Sequence, residues 1–380
     1  MDFTPLTNFL DSLPGIGIPG VDCLVYYKHR PVYRHTAGWA DVKNKREMTP
    51  DTLYNIYSLT KIATSVAALQ LFEQGKFIMS DPLYEYIPEF KDMMVSEPNE
   101  KGEYIPRPAK NPICIQHLLT MTAGLTYDAE MPEIKEVLEK TNGKGPTLEI
   151  AKGIAKANLA FEPGAKWNYS LCLDVLGAFI EVVSGKKLGE YIEENILKPI
   201  GMKDSGFDET PERLEKMACQ YEYNSETKVA TEIPKDNMFR LGTEFQSGGA
   251  GIISSPNDYI LFLDALTNGG VALNGEKILS RPTIDLMRTN HLDKNQLADF
   301  NWDALIGYGY GLGVRTMINK AAGGSLSSLG EFGWSGMGGC YALIDPDREL
   351  CMFYAQHMIN NLEPYTNPRL RNLLYNCLDR

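Results

Sequence analysis

The sequence has 380 residues, which is long enough for a large core and for two or three domains. Hydrophobic residues make up 43% and charged residues 23%, the ordinary balance of a soluble globular protein. With 37 basic and 49 acidic residues the net charge is −12, which disfavours nucleic acids and anionic membrane surfaces as partners.

No targeting or membrane segment is visible in the sequence. The N-terminal residues MDFTPLTNFLDSLPG lack the basic region and the apolar run of a secretory signal, and no stretch of 18 apolar residues occurs. The seven cysteines are scattered without a C-x-x-C pair, which is typical of reduced and mostly buried thiols. We therefore expect a cytoplasmic protein.

The first 75 residues predict a helix, a β-hairpin and a second helix. Apolar spacing in TPLTNFLDSL indicates a short helix, and VDCLVYYKHRPVYRHTAGWADV indicates a hairpin that turns near Lys28 to Pro31. From Ile62 to Phe72 apolar residues recur at helical spacing, and Gly75 offers a C-terminal stop. We expect this second helix to be amphipathic.

The rest of the chain divides into a helical middle and a strand-rich end. Residues 97–112 predict a polar, proline-rich loop, and GAFIEVVSGKKLGEYIEENILKPIG predicts two helices that break at Ser184-Gly185. Near the end, YGYGLGVRTMI, GWSGMGGCYALIDP and ELCMFYAQHM predict three strands, with a tight turn at DPDR. NPRLRNLLYNCL predicts a closing helix.

Together these elements predict an α+β fold. Strands from the two ends of the chain pair most economically in one antiparallel sheet flanked by helices. We expect residues 1–75 and 250–380 to form this sheet subdomain. Residues 76–249 are then an inserted, mostly helical subdomain that walls an active-site cleft.

The start of the second helix holds a candidate nucleophile. In YNIYSLTKIATSVAALQLFEQGK, Ser58 and Lys61 lie three residues apart, which places them on one helix face. A serine hydroxyl needs a neighbouring base, and a lysine buried beside the positive end of the helix dipole is a candidate. The backbone N–H at the helix start can help to bind an oxyanion. On this stretch alone, a capping serine with an exposed lysine is an equal alternative.

The S-x-x-K spacing is weak by itself because it occurs three times. Ser184 and Lys187 stand at a predicted helix end, and Ser225 and Lys228 stand in a polar run, so both pairs predict solvated surface. Only Ser58 precedes a long apolar helix, so only its lysine is expected to be buried.

Five sequence blocks, in this order, resemble the serine β-lactamase-like superfamily. They are YSLTK with its apolar helix, ICIQHLLTMTAGL, FEPGAKWNYSLCLDVLGAFIEVVSG, SGGAGIISSPNDY and GWSGMGGCYALIDP. This superfamily holds class C β-lactamases, D-stereospecific peptidases and family VIII carboxylesterases. The resemblance implies that Ser58 is the nucleophile and that Lys61 shares its proton.

The resemblance also assigns roles to a tyrosine and to a strand. Tyr169 in NYSL matches the tyrosine of the Y-x-N element, which suits it to relay a proton from serine to the leaving group. Trp334-Ser335-Gly336 matches the K/H-T/S/G-G strand, which implies substrate contacts. The amide of Met337 would be the second oxyanion donor beside that of Ser58. Without the surrounding blocks, Tyr169 would be read as a core residue and the glycines as a β-bulge.

Two departures from the penicillin-recognising pattern favour an esterase. Leu171 stands where Y-x-N ends in asparagine and cannot hydrogen-bond a substrate amide, and Trp334 cannot pair with a carboxylate as the head of K/H-T-G does. Each lost contact costs a β-lactam or stem peptide about one to three kcal/mol, whereas a neutral ester loses nothing. Trp334 adds apolar surface and resembles the W-x-G element of family VIII carboxylesterases. We therefore expect a carboxylesterase that cleaves a small-molecule ester or amide through a Ser58 acyl-enzyme; its oligomeric state is open.

Three alternatives stay open on the sequence. A β-lactamase or D-amino peptidase would take its carboxylate contact from elsewhere, such as Arg240 or Lys320. An acyltransferase would use the same acyl-enzyme with an alcohol or amine as acceptor. A non-catalytic binding module would keep the fold without the chemistry.

Other catalytic motifs are incomplete. GWSGM (333–337) nearly matches the G-x-S-x-G nucleophile elbow, but Met337 replaces the final glycine and no helix follows. The five histidines lack metal-ligand spacing, and there is no phosphate-binding or dinucleotide-binding glycine motif. We expect no metal and no cofactor.

Overall fold

The computed structural model describes residues 1–98 and 102–379. Its α-helices are α1 (Thr4–Ser12), α2 (Thr60–Glu73), α3 (Ile115–Leu119), α4 (Pro132–Lys140), α5 (Thr147–Ile154), α6 (Cys172–Ser184), α7 (Leu188–Ile192), α8 (Pro211–Lys216), α9 (Pro256–Thr267), α10 (Arg281–Met287), α11 (Lys294–Asp299), α12 (Lys320–Gly323) and α13 (Glu363–Leu378). Its strands are β1 (Gly20–Tyr27), β2 (Arg30–Gly38), β3 (Tyr54–Asn55), β4 (Met94–Pro98), β5 (Tyr104–Pro108), β6 (Gln220–Asn224), β7 (Val229–Ile233), β8 (Ile253–Ser254), β9 (Tyr308–Tyr310), β10 (Arg315–Met317), β11 (Phe332–Ser335), β12 (Tyr341–Asp345), β13 (Leu350–Ala355) and β14 (Met358–Ile359).

The centre of the fold is a seven-stranded sheet with the order β2-β1-β13-β12-β11-β10-β9. Every neighbouring pair is antiparallel, and the register of β1 on β13 pairs Tyr27 with Leu350. Strands from the two ends of the chain therefore meet in one sheet, and the predicted α+β class is confirmed. None of the helices in the described ranges has the length and apolar character needed to cross a bilayer.

Helices cover both faces of the sheet because its strands are apolar on both sides. Leu24 and Phe353 belong to the larger core, together with residues of α2, α6 and α9. Val25 and Met352, one position away on the same strands, belong to a second core with residues of α1 and α13. This layering holds α2 between the sheet and the helices of the chain's middle.

Helix α2 is buried on every side, whereas the sequence predicts an amphipathic helix. All residues from Thr60 to Leu71 are buried, polar ones included. Two of the polar side chains find protein partners instead of water: Thr64 Oγ1 donates to the carbonyl of Gly248, and Gln70 Nε2 donates to that of Ile278. Lys61 on this helix is therefore also taken out of water.

The strand-rich end contains more strands than the three that the sequence predicts. YGYGLGVRTMI forms two strands, β9 and β10, and GWSGMGGCYALIDP forms β11 and β12. Glycines with positive φ make both turns possible: Gly313 has φ 77° and Gly339 has φ 91°. An apolar, glycine-rich run does not show where a turn falls. The sequence pattern therefore predicts one strand where the structure has two, once for β9 and β10 and once for β11 and β12.

The middle of the chain holds α3 to α8 and also short strands. Residues 97–112 are predicted as a loop, but β4 and β5 form an antiparallel hairpin; residues 99–101 of that prediction lie outside the described residues. Helix α6 ends at Ser184 and Gly185 follows with φ 71°, as predicted. The division into subdomains at 75/76 and 249/250 stays a prediction.

Because His357 is buried, we predict that the free energy of unfolding decreases in acid. Burial lowers the pKa of His357 to about 4, although its Nδ1 donates to the carbonyl of Ala218. An unfolded histidine titrates near ~6.5, so the unfolded state takes up the proton first, and this stability is lost as pH falls from ~6.5 to ~4. Between pH 7 and pH 5, we expect the free energy of unfolding to fall about 2 kcal/mol further in the native chain than in His357→Gln, measured by urea titration. Equal losses in the two proteins would contradict this prediction.

Candidate active site

Ser58 lies in a short 3-10 helix, Tyr57–Leu59, that leads directly into α2. Its side chain is buried except for a small opening, with 6% of the residue exposed. The preceding Tyr57 has φ 46°, a left-handed conformation that a tyrosine rarely adopts. Tyr57 is fully buried, and its hydroxyl donates to Gln220 Oε1 at 2.6 Å. A strained but anchored residue thus fixes the turn that presents Ser58.

Lys61 is fully buried and points at the Ser58 hydroxyl. Its Nζ donates to Ser58 Oγ at 3.1 Å and to the carbonyl of Gly249 at 2.8 Å. The same atom lies 4.6 Å from the ring centroid of Tyr169 and 5.6 Å from that of Tyr127, within the range of cation–π attraction. No carboxylate of the described residues lies within ion-pair distance of Nζ. This lysine is therefore held by neutral groups and aromatic faces.

Tyr169 approaches Ser58 from the other side. Its phenol donates to Ser58 Oγ at 2.6 Å, and Trp334 Nε1 donates to the phenol oxygen at 3.3 Å. The Tyr169 and Trp334 rings stack at 5.7 Å with 19° between their planes. The structure therefore brings the serine, lysine and tyrosine of the sequence hypothesis within hydrogen-bonding reach of one another.

Trp334 differs from its expected use as an open apolar surface for the substrate. Only 3% of it is exposed, because it is stacked on Tyr169 and packed edge-on against Tyr310. Its contribution is an N–H donor to the Tyr169 oxygen. The exposed aromatic surface beside Tyr169 comes instead from Trp302, which is 44% exposed and lies 5.2 Å from the Tyr169 ring. No motif in the sequence singles out Trp302.

The end of β11 passes close over the Ser58 turn. A Cβ on Gly336 would lie 2.3 Å from the carbonyl oxygen of Ile56, so only glycine fits there. The Gly336 amide donates to the carbonyl of Cys340 across the turn that follows β11. Within residues 1–98 and 102–379, no acceptor takes the amides of Ser58 and Met337. These two donors suit an oxyanion, and that role for them stays a prediction.

The remaining predicted contacts are placed as follows. Leu171 is 2% exposed at the start of α6, and its side chain belongs to the larger core, so its predicted substrate contact stays untested. Arg240 donates to the carbonyl of Phe207 and lies 3.5 Å from Glu209. Neither Arg240 nor the exposed Lys320 contacts the serine, lysine and tyrosine of the site.

Tyr127 is a site residue that the sequence hypothesis lacks. Its ring lies 5.1 Å from that of Tyr169, and its hydroxyl interacts with Ser58. Burial, with the neighbouring Tyr169 and Asp174, raises the pKa of Tyr127 well above its ordinary value, so this phenol stays protonated. Tyr127 is the second residue after the block ICIQHLLTMTAGL, but no spacing rule marks it.

Asp174 is a second residue that sequence reasoning missed. It is buried in the first turn of α6, where it accepts hydrogen bonds from Ser247 Oγ at 2.5 Å and from the amide of Gly249 at 3.2 Å. Burial raises the pKa of Asp174, and the Lys61 charge and these hydrogen bonds offset part of the increase. Because the Gly249 carbonyl accepts from Lys61, Asp174 holds the loop that orients the lysine.

We expect Asp174→Asn to lower kcat by about tenfold to a hundredfold, since it removes the negative charge that strengthens both hydrogen bonds to Oδ1, and each hydrogen bond to a charged group contributes ~1.5–3 kcal/mol. KM should change little, and the pH profile of kcat should move because Lys61 loses its fixed position. Asp258→Asn is the matched control: this buried carboxylate also accepts from a serine and a backbone amide, but does not touch the site. Equal kcat losses in both variants would point to a structural role only.

Within the described residues, no group of three or more His, Cys, Asp or Glu side chains is arranged to hold a metal ion. The groups that surround Ser58 are a lysine, two phenols, an indole and backbone amides. These groups can move a proton and stabilise a negatively charged oxygen, which are the requirements of acyl transfer.

Comparison with known proteins agrees with this chemistry. The chain is 29% identical over 348 residues to Esterase EstB from Burkholderia gladioli, covering 83% of this chain and 79% of the esterase. It is 29% identical over 345 residues to Monacolin J acid methylbutanoyltransferase from Aspergillus terreus, covering 85% and 80%. The solved structure of EstCE1, a hydrolase with promiscuous acyltransferase activity, superposes with a TM-score of 0.79 at 23% identity over 98% of this chain and 97% of that one.

The sequence profile described as Beta-lactamase matches residues 6–374, which is nearly the whole chain. The match spans the sheet, the Ser58 helix and the β11 edge together. With the fold and the arrangement around Ser58, it shows that this chain belongs to the Beta-lactamase family of serine hydrolases.

Proposed function

We propose that the protein is a carboxylesterase that works through an acyl-enzyme on Ser58. The observation that carries this proposal is the convergence of Lys61 Nζ and the Tyr169 hydroxyl on Ser58 Oγ, at 3.1 and 2.6 Å. A serine with two proton-handling partners is the arrangement that nucleophilic acyl transfer needs.

In the first half of the reaction, Ser58 Oγ attacks the carbonyl carbon of the ester. The serine proton passes to the Tyr169 and Lys61 pair, and the amides of Ser58 and Met337 stabilise the oxyanion. The bond from carbon to the alcohol oxygen then breaks, and the leaving alcohol takes the proton from Tyr169. The acyl group stays on Ser58.

In the second half, water takes the place of the alcohol. The same pair removes a proton from water, the resulting oxyanion occupies the same two amides, and Ser58 regains its proton as the acid leaves. Trp334 contributes to both halves of the reaction, since its N–H donates to the Tyr169 phenol oxygen and stabilises negative charge that forms on it. Because the indole is neutral, it adds no positive charge to the site.

Three placements support an ester over a β-lactam as the substrate. Trp334 is neutral, Leu171 is apolar, and the guanidinium of Arg240 is engaged by Glu209 and a backbone carbonyl. None of these groups offers a free cation to a substrate carboxylate. The similarity to Esterase EstB supports the same choice.

A second candidate is acyl transfer to an alcohol. The exposed indole of Trp302 next to Tyr169 offers an apolar surface on which an organic acceptor could bind in place of water. The similarity to a methylbutanoyltransferase favours this candidate too.

The test combines a substrate panel with active-site labelling. We expect hydrolysis of p-nitrophenyl esters, little turnover of nitrocefin, and a fluorophosphonate adduct on the Ser58 peptide by mass spectrometry. Nitrocefin turnover without ester cleavage would instead indicate a β-lactamase, and the absence of an adduct would indicate a binding module. If added butanol yields more butyl ester than free acid, the protein is an acyltransferase.

A further inference from the structure

The oxyanion edge of β11 is open from Trp334 onward. Strand β10 pairs with β11 only at Phe332 and Gly333, so the outer edge of the following residues has no partner strand. An extended substrate can lie along such an edge. Since side chains alternate along a strand, Trp334 flanks this edge on one side and Ser335 on the other.

The two flanks have different chemistry. On one side the Trp334 N–H is already used by Tyr169. On the other side the Ser335 hydroxyl donates to Glu363 Oε1, at the first residue of α13. The Ser335 hydrogen is therefore taken by a carboxylate, and only an oxygen lone pair remains for a ligand.

Glu363 is built into this position. Its backbone amide donates to Asn361 Oδ1 at 2.8 Å, and Asn361 Nδ2 donates to the carbonyl of Met337 at 2.8 Å. The first turn of α13 is thereby tied to the residue that carries the proposed oxyanion donor. These two hydrogen bonds hold the Glu363 carboxylate beside the open edge of β11.

Within the described ranges, no lysine, arginine or histidine forms an ion pair with Glu363. Arg315, whose charge acts on Glu363 from farther away, is itself buried with Glu331 at 3.1 Å. Burial raises the pKa of Glu363, and the Ser335 hydrogen bond and the Arg315 charge offset part of the increase. The hydroxyl of Ser335 donates to a carboxylate, so the Ser335 side of the edge is acidic.

We propose that Glu363 sets the charge preference of this site: it disfavours substrates that carry a carboxylate beside Ser335 and favours those that are neutral or cationic there. This inference rests on the proposed ester hydrolysis and narrows its substrate class. It also gives a physical reason to expect weak β-lactam turnover, since β-lactams carry a carboxylate that would meet a like charge.

The first measurement needs no variant. One series of p-nitrophenyl esters differs only in the acyl end: the half-acid of adipic acid, its half-amide and trimethylammonio-hexanoate. A second series of butyrate esters differs only in the alcohol: choline, its uncharged dimethylbutyl analogue and hydroxypropanoate. In at least one series we expect kcat/KM for the anionic ester to lie about tenfold or more below that of the neutral one, the effect of a like charge nearby.

The second measurement uses Glu363→Gln, which keeps a hydrogen-bond acceptor for Ser335 and removes the charge. The gap between neutral and anionic esters should shrink to within about threefold. Glu276→Gln is the charge-matched control and should keep the native gap. Glu276 is exposed and lies far from the site. It is two residues from Ile278, whose carbonyl accepts a hydrogen bond from Gln70 near the C-terminal end of α2. A 14-residue helix separates that end from Ser58, about 20 Å at ~1.5 Å per residue.

The outcomes separate this inference from the proposed function. Cleavage of anionic and neutral esters within twofold in both series would overturn the charge preference and leave the esterase proposal intact. A gap that persists unchanged in a folded Glu363→Gln would assign the preference to another residue and overturn the role of Glu363. No cleavage of any ester would overturn the proposed function itself, and the charge preference with it.

Discussion

Ser58→Ala is expected to lower ester hydrolysis by at least about 10⁴-fold, because alanine has no oxygen to form the acyl-enzyme. The fluorophosphonate adduct should disappear as well. The fold should survive, since Lys61 keeps its hydrogen bond to the Gly249 carbonyl and the Tyr169 phenol keeps that from Trp334. Hydrolysis rates, labelling and a thermal melt measure these three expectations.

The chain supplies its own control for this experiment. Ser225 stands in another S-x-x-K sequence, but Ser225 and Lys228 are both exposed. Ser225→Ala should therefore leave hydrolysis and labelling at their native levels. If the Ser58→Ala protein were folded and still hydrolysed esters at near-native rates, the acyl-enzyme assignment would fail.

Tyr169→Phe is expected to lower kcat by about 10²- to 10⁴-fold, the usual contribution of a positioned proton-transfer group. Phenylalanine keeps the stacking on Trp334 and the contact with Trp302, so KM and the melting temperature should change little. Only the hydroxyl that donates to Ser58 is lost. Steady-state kinetics on a p-nitrophenyl ester check this result.

Tyr310→Phe is the matched control for that loss. Tyr310 belongs to the same aromatic cluster, packed 5.3 Å from Trp334, but its buried hydroxyl has no hydrogen-bond partner among the described residues. Removing that hydroxyl should leave kcat nearly native. Similar losses in both variants would mean that the cluster responds to any lost phenol, which would contradict a proton-transfer role for Tyr169.

The sequence predicts the catalytic side chains of this site better than the residues that position them or set the charge around them. Ser58, Lys61 and Tyr169 stand in recognisable blocks, so their meeting could be predicted before the fold was known. Asp174 could not be found this way, since its partner Gly249 lies 75 positions later and no local pattern links the two. Glu363 was missed for the same reason: a charge becomes meaningful only when another element places it beside a strand edge.

Burial of side chains is also poorly predicted from the sequence. Helix α2 has polar residues at positions that a surface helix would expose, and only its place between the sheet and the helices of the chain's middle shows that they are buried. Trp334 illustrates the same limit. Its identity predicts apolar contact area, whereas its surroundings leave it mainly an N–H donor.

The pairing of β1 with β13 has a consequence for how the protein is made. Tyr27 and Leu350 are neighbours in the sheet although roughly 320 positions separate them along the chain. A ribosome that adds about 5–20 residues per second needs roughly 20 to 60 seconds to supply the second strand after the first. During that interval β1 has an unpaired edge and an apolar face, a combination that invites aggregation. Synthesis of this protein should therefore depend on chaperones more strongly than its ordinary size suggests.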